Sequence, residues 1–254
     1  MSALKMKTLE DSAVKREPEE ESTGTTASLD DTETTSSSML TTEDVFSLLY
    51  SDFPHRVAKE TSRRERKQNG YISMSLVYGE IAYGPFKSVI DEIKHCHYAL
   101  QKPGGVFLDI GSGSGKAVFA AALAHDFDAC YGIEILEGLH SISQVVLNDW
   151  DRRIKRLPSI SLQKKRMRIE FAYGDALEMD WPANVDVFFL NSTCFTASFF
   201  RELTKKLAMS CKPGAVIITA THALPDTTNF DLLRELLVPQ EAWGTATWFV
   251  QRKK

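Results

Sequence analysis

Short apolar runs alternate along the chain with longer stretches in which apolar residues recur every three or four positions. There are five such runs: Val106–Ile110, Ala129–Glu134, Met167–Ala172, Val185–Asn191 and Ala215–Thr219. Apolar runs without alternation are typical of parallel strands covered on both faces. Two later segments, 233–238 and 245–251, indicate a hairpin of a sixth and a seventh strand, antiparallel at one sheet edge. We predict a seven-stranded α/β sheet with helices on both faces and between the first five strands.

The periodic stretches predict the helices. The longest has an apolar stripe that should face the sheet: Leu139, Ile142, Val146, Trp150, Ile154 and Leu157. Pro158 should interrupt this helix, since proline breaks the hydrogen-bond ladder. An N-capped helix is predicted to begin at Thr42, and others over 84–93 and 199–211.

The first forty residues differ in composition from the rest of the chain. They contain fourteen Ser or Thr, nine Asp or Glu and no aromatic residue, so they cannot bury enough apolar area to offset ordering entropy. We predict a disordered acidic tail over 1–40, serving either as a phosphorylated interaction tail or as a solvated leader. A basic helical segment over 41–76 and the main α/β domain over 77–254 should follow it.

Overall composition excludes several classes of protein. The 254 residues carry a net charge of −4, so the molecule as a whole is not a basic nucleic-acid binder. The four cysteines show no metal-ligand spacing, which indicates reduced thiols in a cytosolic or nuclear protein. We expect no signal peptide, no membrane-spanning segment and no metal site.

Two local segments are nevertheless basic. Six Lys or Arg residues lie within 56–67, beside Glu60 and Glu65, and eight lie within 152–168. If 56–67 is a helix, we expect its charges to spread over several faces. Two interpretations stay open for it: a solvated helix with paired charges, or a patch that binds an anionic partner.

The stretch that follows the first strand indicates the chemistry. After Asp109, glycines occupy three alternate positions, Gly111, Gly113 and Gly115, and helix formers follow. A dinucleotide fingerprint needs G-x-G-x-x-G and a helix N-terminus for the pyrophosphate. This G-x-G-x-G loop with its preceding carboxylate instead resembles the first motif of class I methyltransferases, which bind the sulfonium cofactor S-adenosylmethionine. Glu134 ends the second strand and can accept both ribose hydroxyls of either cofactor.

Further motifs occur in a fixed order along the chain. They are Leu76–Glu80, Ile90–Ile93, Phe107–Gly115, Tyr131–Glu134, Gly174–Asp175, Phe189–Asn191, Lys212–Gly214 and Gly244–Trp248. The series resembles the Dot1-like proteins, the non-SET histone lysine methyltransferases that act on the core of histone H3 in nucleosomes. The Tyr-Gly-Glu turn at 78–80 is its most specific part. The resemblance implies a class I, Rossmann-like methyltransferase domain over 77–254, a nuclear or otherwise cytoplasmic location and a monomer.

The resemblance also implies a set of cofactor contacts. These come from Tyr78, Glu80, Asp109, Gly111, Gly113, Gly115, Lys116, Glu134, Asp175 and Asn191. Tyr78 and its loop would close over the methionine end of S-adenosylmethionine, while Glu134 would take the ribose and Asp175 the adenine. Lys116 replaces a family Gln, and its ammonium would meet the carboxylate of the cofactor.

The same resemblance implies a substrate channel. Asn191 and Tyr78 would be the catalytic residues that shape the path of a lysine towards the sulfonium, and Phe195 and Trp248 would form its apolar wall. Methyl transfer needs alignment of the reacting atoms and a neutral amine, which an apolar channel favours. An amide such as Asn191 can orient the nitrogen by a hydrogen bond.

Three further positions depart from the family pattern, and several functions stay open. Ile81, Ala176 and Ser192 stand where the family has Thr, an aromatic residue and Asn. The first hypothesis is a Dot1-type lysine methyltransferase whose basic segments contact nucleosomal DNA phosphates or acidic protein. The alternatives are a class I methyltransferase for a non-histone protein or small molecule, and a non-catalytic cofactor-binding module. The glycine spacing argues against an NAD dehydrogenase.

Overall fold

The computed structural model describes residues 39–71, 76–240 and 244–254. Within these ranges one sheet contains seven strands: β1 (Val106–Ile110), β2 (Ala129–Glu134), β3 (Arg168–Tyr173), β4 (Val187–Leu190), β5 (Val216–Ala220), β6 (Phe230–Gln240) and β7 (Gly244–Lys253). The strand order is β3-β2-β1-β4-β5-β7-β6. The first five strands are parallel, and β7 is antiparallel to both β5 and β6. The predicted sheet and its terminal hairpin are confirmed.

Helices connect and cover these strands. Their bounds are α1 (Thr42–Leu49), α2 (His55–Gln68), α3 (Tyr83–His95), α4 (Lys116–Ala124), α5 (Glu137–Arg152), α6 (Leu162–Arg166) and α7 (Ala197–Ser210). α1 begins at Thr42, as predicted, and its N-cap is Thr41. Thr41 Oγ1 accepts from the Asp44 amide at 3.1 Å, and the Asp44 carboxylate accepts from the Thr41 amide at 2.9 Å, so a capping box fixes this end.

The helices lie on both faces of the sheet, as predicted, but unequally. On one face, residues of α1 to α5 form a single core with the sheet, in which Phe86, Phe119 and Trp150 are fully buried. On the other face, α7 packs through Phe200 and Leu203. The two N-terminal helices therefore share their core with β1, the strand that ends at the glycine loop.

The predicted helix between the third and fourth strands is wrong, because residues 174–186 between β3 and β4 contain no helix. Instead, the Lys206 ammonium of α7 satisfies three carbonyl groups of this loop, those of Ala176, Leu177 and Met179. A cation supplied from α7 thus replaces the backbone bonds that a helix would have made within itself.

The predicted apolar stripe extends beyond α5. This helix ends at Arg152, and a 3-10 turn over Ile154–Arg156 follows before Pro158. Ile154 is still fully buried, so the chain keeps packing on the core after the α-helix has ended. The helix ends several residues before the proline, in agreement with the restricted backbone preceding such a residue.

Other sequence-based expectations are tested only in part. Residues 1–38 lie outside the described ranges, so the acidic tail stays a prediction. None of the helices in the described ranges is both long and apolar enough to cross a membrane. The same residues include no group of three or more His, Cys, Asp or Glu side chains placed to hold a metal ion. All four cysteines are unpaired, and Cys130 is buried in β2.

Candidate functional site

A cavity of about 460 Å³ opens where β1, β2 and β4 end. Six residues proposed from the sequence contribute to its wall: Tyr78, Gly111, Glu134, Asp175, Asn191 and Phe195. Most of the remaining wall is apolar and includes Leu76, Val77, Ile110, Ile133, Ile135, Leu136, Leu139, Ala176 and Phe199. An apolar cavity of this size with a few polar groups is typical of small-molecule sites, which span roughly 300–1,000 Å³. Its place at the carboxyl ends of parallel strands is the usual ligand position in such sheets.

The glycine loop allows aromatic rings to lie against its backbone. Gly113 and Gly115 have φ values of +55° and +87°. A Cβ at Gly113 would lie 2.5 Å from Cε2 of Tyr78, and one at Gly115 would lie 2.7 Å from Cζ of Phe171. These two glycines therefore make room for the two rings, whereas Gly111 lines the cavity itself.

Glu134 fastens the glycine loop to the end of β2. Its Oε2 accepts from the Gly113 amide at 2.6 Å, and its Oε1 accepts from the Leu136 amide at 2.8 Å. Burial raises the pKa of Glu134, while these backbone bonds act in the opposite direction. The carboxyl group thus orders the loop and at the same time faces the cavity.

Asp109 occupies a different place from the one that the motif suggested. It lines a second cavity of about 20 Å³ together with Glu80, Lys116 and Asn191, and it does not line the large one. The side chain is 2% exposed, and its Oδ1 has no hydrogen-bond partner among the described residues. Burial, and then the charge of Glu134, raises the pKa of Asp109 well above its ordinary value. The small cavity has room for about one water molecule.

A buried polar network joins the Tyr-Gly-Glu turn to the first turn of α4. The Tyr78 hydroxyl donates to Glu80 Oε1 at 2.6 Å and lies 2.7 Å from Ser114 Oγ. The Lys116 ammonium, whose residue is 7% exposed, pairs with Glu80 Oε2 at 2.5 Å. Burial and the charge of Glu80 raise the pKa of Tyr78 well above its ordinary value, so the phenol stays neutral. Lys116, expected to meet the cofactor carboxylate, is thus ion-paired inside the protein.

Asn191 lies beside the same turn, although the two are far apart in sequence. Its Nδ2 donates to the Gly79 carbonyl oxygen at 3.2 Å, and its Oδ1 accepts from the Thr193 hydroxyl at 3.2 Å. Asn191 and Tyr78 line both cavities. The structure therefore brings together the two residues that the family resemblance names as catalytic.

The two residues expected to form the channel wall are in different places. Phe195 lines the large cavity and packs edge-on against Phe199, with ring centroids 4.9 Å apart. Trp248 does not line it. This residue is 1% exposed and packs against Phe86 and Phe189 in the core, because its position on β7 points towards the α3 face of the sheet. The structure thus assigns Trp248 to the core and not to the channel.

Asp175 lines the large cavity beside Ala176. Its Oδ1 accepts from the Leu177 amide at 2.8 Å, which stabilises the turn after β3. A carboxylate oxygen can accept more than one hydrogen bond, so this contact leaves room for a ligand donor.

Sequence patterns did not identify two residues that support the site. The buried Tyr50 hydroxyl donates to the Ser114 carbonyl oxygen at 3.2 Å. The Glu65 carboxylate accepts from the backbone amides of Glu137 and Gly138 at 2.7 and 2.8 Å. One signal for Glu65 was available, since it follows the buried Ala58 and Ser62 at helical spacing.

The two basic segments differ in structure. On α2 the exposed cations are Arg56, Lys59, Arg63, Arg64 and Lys67, and none forms an ion pair within the part of the chain that the structure describes. At about 100° per residue these five cations fall within an arc of about 140°. Glu65 lies on the opposite side of α2, so the charges of the whole segment do spread over more than one face, as expected. In the second segment Lys164 is 9% exposed and pairs with Asp126 at 2.9 Å. Three others are paired with nearby carboxylates: Arg153, Lys155 and Arg168.

The strand order, the glycine loop and the carboxyl group at the end of β2 define the class I methyltransferase fold. A solved example is magnesium protoporphyrin IX methyltransferase from Synechocystis PCC 6803 with bound SAM, which shares this fold at a TM-score of 0.50 and 12% identity, over 83% of this chain and 90% of that one. The family model described as histone methylation protein DOT1 matches residues 60–235. The chain therefore belongs to the DOT1 family.

Two curated relatives carry the name histone-lysine N-methyltransferase, H3 lysine-79 specific. The protein from Dictyostelium discoideum is 30% identical over 178 residues, which cover 68% of this chain. The protein from Eremothecium gossypii is 27% identical over 139 residues, which cover 54% of this chain. The matched stretches span only 9% and 24% of those two relatives.

Proposed function

We propose that the protein is an S-adenosylmethionine-dependent lysine methyltransferase that acts on histone H3 in nucleosomes, in the nucleus. One observation carries the proposal: the Tyr-Gly-Glu turn and Asn191 meet at the rim of a cavity formed by the glycine-loop fold, with Asn191 Nδ2 3.2 Å from the Gly79 oxygen. Membership of the DOT1 family and the names of the curated relatives support the histone substrate.

The residues present fit S-adenosylmethionine. The large cavity of about 460 Å³ has an apolar wall with carboxyl groups at two points, Glu134 for ribose hydroxyls and Asp175 for the adenine amino group. The buried Asp109 lies behind the glycine loop and does not line this cavity, so the fit to the cofactor rests on Glu134, Asp175 and the apolar wall. When bound, the cofactor supplies a methyl group activated by its sulfonium.

The chain itself would bind and orient a lysine amine. Phe195 and Phe199 give the mouth of the cavity an apolar wall, which disfavours the ammonium form and lowers the pKa of an entering lysine. Asn191 Oδ1 accepts one bond from Thr193 and keeps a second lone pair for an N–H of the amine. Tyr78 stays neutral, so it adds no charge beside the amine. Alignment of the reacting atoms is then the main contribution of the protein.

The basic outer face of α2 supports a contact with nucleosomal DNA. Its exposed cations are free to meet phosphates, whereas much of the 152–168 segment is used within the protein. We therefore assign the DNA contact mainly to α2 and, in the second segment, to the exposed Arg152, Arg156 and Arg166. Binding through phosphates should weaken steeply with salt.

A transfer assay with labelled S-adenosylmethionine tests the proposal. The protein is incubated with nucleosomes, with free histones or with a cell lysate, and labelled bands are identified. We expect label on histone H3, more strongly in nucleosomes than in free histones. Label confined to a non-histone band would instead favour the other-substrate methyltransferase. Cofactor binding without transfer to any of the three would favour a non-catalytic module.

A further inference from the structure

The first turn of α5 forms part of the cavity wall and needs hydrogen-bond acceptors. A helix begins with backbone N–H groups that have no partner inside the helix. Among the described residues, the N-cap Leu136 supplies no side-chain acceptor of its own. Yet Leu136 and Leu139, at this end of α5, line the cavity next to Glu134. The position of this turn therefore determines the shape of the proposed cofactor site.

Two carboxyl groups from different parts of the chain satisfy these amides. Glu134 accepts from the Leu136 amide at 2.8 Å. Glu65, on α2, accepts from the Glu137 amide through Oε1 at 2.7 Å and from the Gly138 amide through Oε2 at 2.8 Å. Each oxygen of Glu65 thus holds one amide, and the negative charge lies at the positive end of the α5 dipole.

α2 packs closely against the first turn of α5 at Gly138, where no Cβ separates the two helices. A Cβ at Gly138 would lie 2.7 Å from Cγ2 of Thr61 and 2.9 Å from Oε2 of Glu65. A residue with a Cβ at position 138 would require the Thr61 and Glu65 side chains to move away from the turn. Gly138 has ordinary helical backbone angles, with no positive φ. A glycine is therefore needed at this position because of the contact with α2, and not because of the backbone conformation of α5.

We propose that Glu65 is a positioning residue for the cofactor site: from α2 it fixes the first turn of α5 and, through that turn, the cavity wall beside Glu134. This inference rests on the proposed function for the identity of the ligand. It makes α2 a part of the cofactor site, with its inner face holding the cavity wall and its outer face carrying the exposed cations.

Calorimetric titration with S-adenosylmethionine measures the effect. Glu65→Ala removes both acceptors and should weaken binding about five- to tenfold, the size expected for loss of a helix cap. Glu65→Gln keeps one carbonyl acceptor and should lie between Glu65→Ala and the unmodified protein. In the transfer assay, Glu65→Ala should raise KM for the cofactor while kcat at saturation changes less than about twofold. Glu60→Ala is the matched control, because Glu60 is an exposed carboxylate of the same helix. The affinity of this variant for S-adenosylmethionine should be unchanged.

Gly138→Ala provides an independent variant. In a helix this change normally stabilises by favouring helical backbone, so weaker cofactor binding here would point to the displaced Glu65. Hydrogen exchange of the Glu137 and Gly138 amides gives a readout that needs no ligand. Both should exchange at least about tenfold faster in Glu65→Ala than in Glu60→Ala.

The outcomes separate the two hypotheses. Unchanged exchange at these amides in Glu65→Ala overturns the positioning role whether or not the cofactor binds. Equal cofactor affinity in Glu65→Ala and Glu60→Ala also overturns it. Faster exchange in Glu65→Ala, with no cofactor binding by the unmodified protein, would uphold the role of Glu65 in fixing α5 and would remove the proposed function instead.

Discussion

The two basic segments of the chain look alike in sequence but behave differently in the fold. The segment 56–67 forms most of α2, and five of its six cations are exposed. The segment 152–168 crosses the end of α5, a 3-10 turn and α6, and several of its cations are paired or buried. A count of charges therefore does not locate an anion-binding surface. What matters is which side of each element faces the core.

Lys164 is the clearest case of a cation used for structure. Its ammonium donates to the carbonyl oxygens of Ala122 and His125 at 2.7 and 3.0 Å, at the end of α4. Burial lowers the pKa of Lys164, and its bond to Asp126 opposes that effect. The side chain completes a helix end that would otherwise leave buried carbonyl groups unsatisfied.

The largest effect should come from Lys164→Met. This change leaves two carbonyl groups and Asp126 without their cation, and we expect a loss of about 2–3 kcal/mol in unfolding free energy. Thermal and denaturant unfolding would measure it. The neighbouring Lys165→Met is the control and should change stability by less than about 0.5 kcal/mol. If the two variants melt alike, Lys164 has no structural role beyond that of an ordinary surface lysine.

A smaller effect, on binding only, should come from neutralising the outer face of α2. Changing Arg56, Lys59, Arg63 and Lys67 together to Gln removes exposed charges without touching the core. Nucleosome affinity at low salt should fall. The slope of log affinity against log salt should also decrease in size, by about 0.9 for each DNA phosphate that the variant no longer neutralises and so by up to about 3.6 for the four substitutions. Gel shifts across a salt series would measure both quantities. A variant that keeps the full salt slope would remove α2 from the DNA-binding surface.

The smallest effect should come from the paired cations of the second segment. Arg153 pairs with Asp149 one helical turn earlier, at 2.6 Å on an exposed surface. Exposed pairs of this kind contribute about 0.5 kcal/mol or less. Arg153→Gln should therefore change neither stability nor nucleosome affinity by more than that amount. A large loss of DNA binding in this variant alone would reverse the contrast between the two segments.

Much of the sheet could be predicted from the sequence because its signals are local. The apolar runs, the glycine spacing and the residue at the end of each strand are visible within about ten positions. The absence of a helix between β3 and β4 could not be predicted in this way. Three carbonyl groups of this segment are satisfied by Lys206, which lies on the later helix α7.

The candidate site was predicted less completely, for the same reason. Tyr78 and Asn191 were named from family motifs, and the structure brings them together. Trp248 lies in the core instead of the channel. The face of the sheet to which a residue of the terminal hairpin points depends on the strand register, and this could not be predicted from the motif. Glu65 reaches α5 from 72 residues earlier, and no local pattern specifies so distant a bond.

The most direct test of the proposed channel is the Asn191→Ala variant, measured for cofactor affinity and for the rate of a single turnover on nucleosomes. Asn191 is proposed to orient the amine and not to hold the cofactor alone. We therefore predict affinity for S-adenosylmethionine within about threefold of the unmodified protein and a transfer rate at least about tenfold lower. An unchanged transfer rate in a variant that still binds the cofactor would contradict the proposed channel.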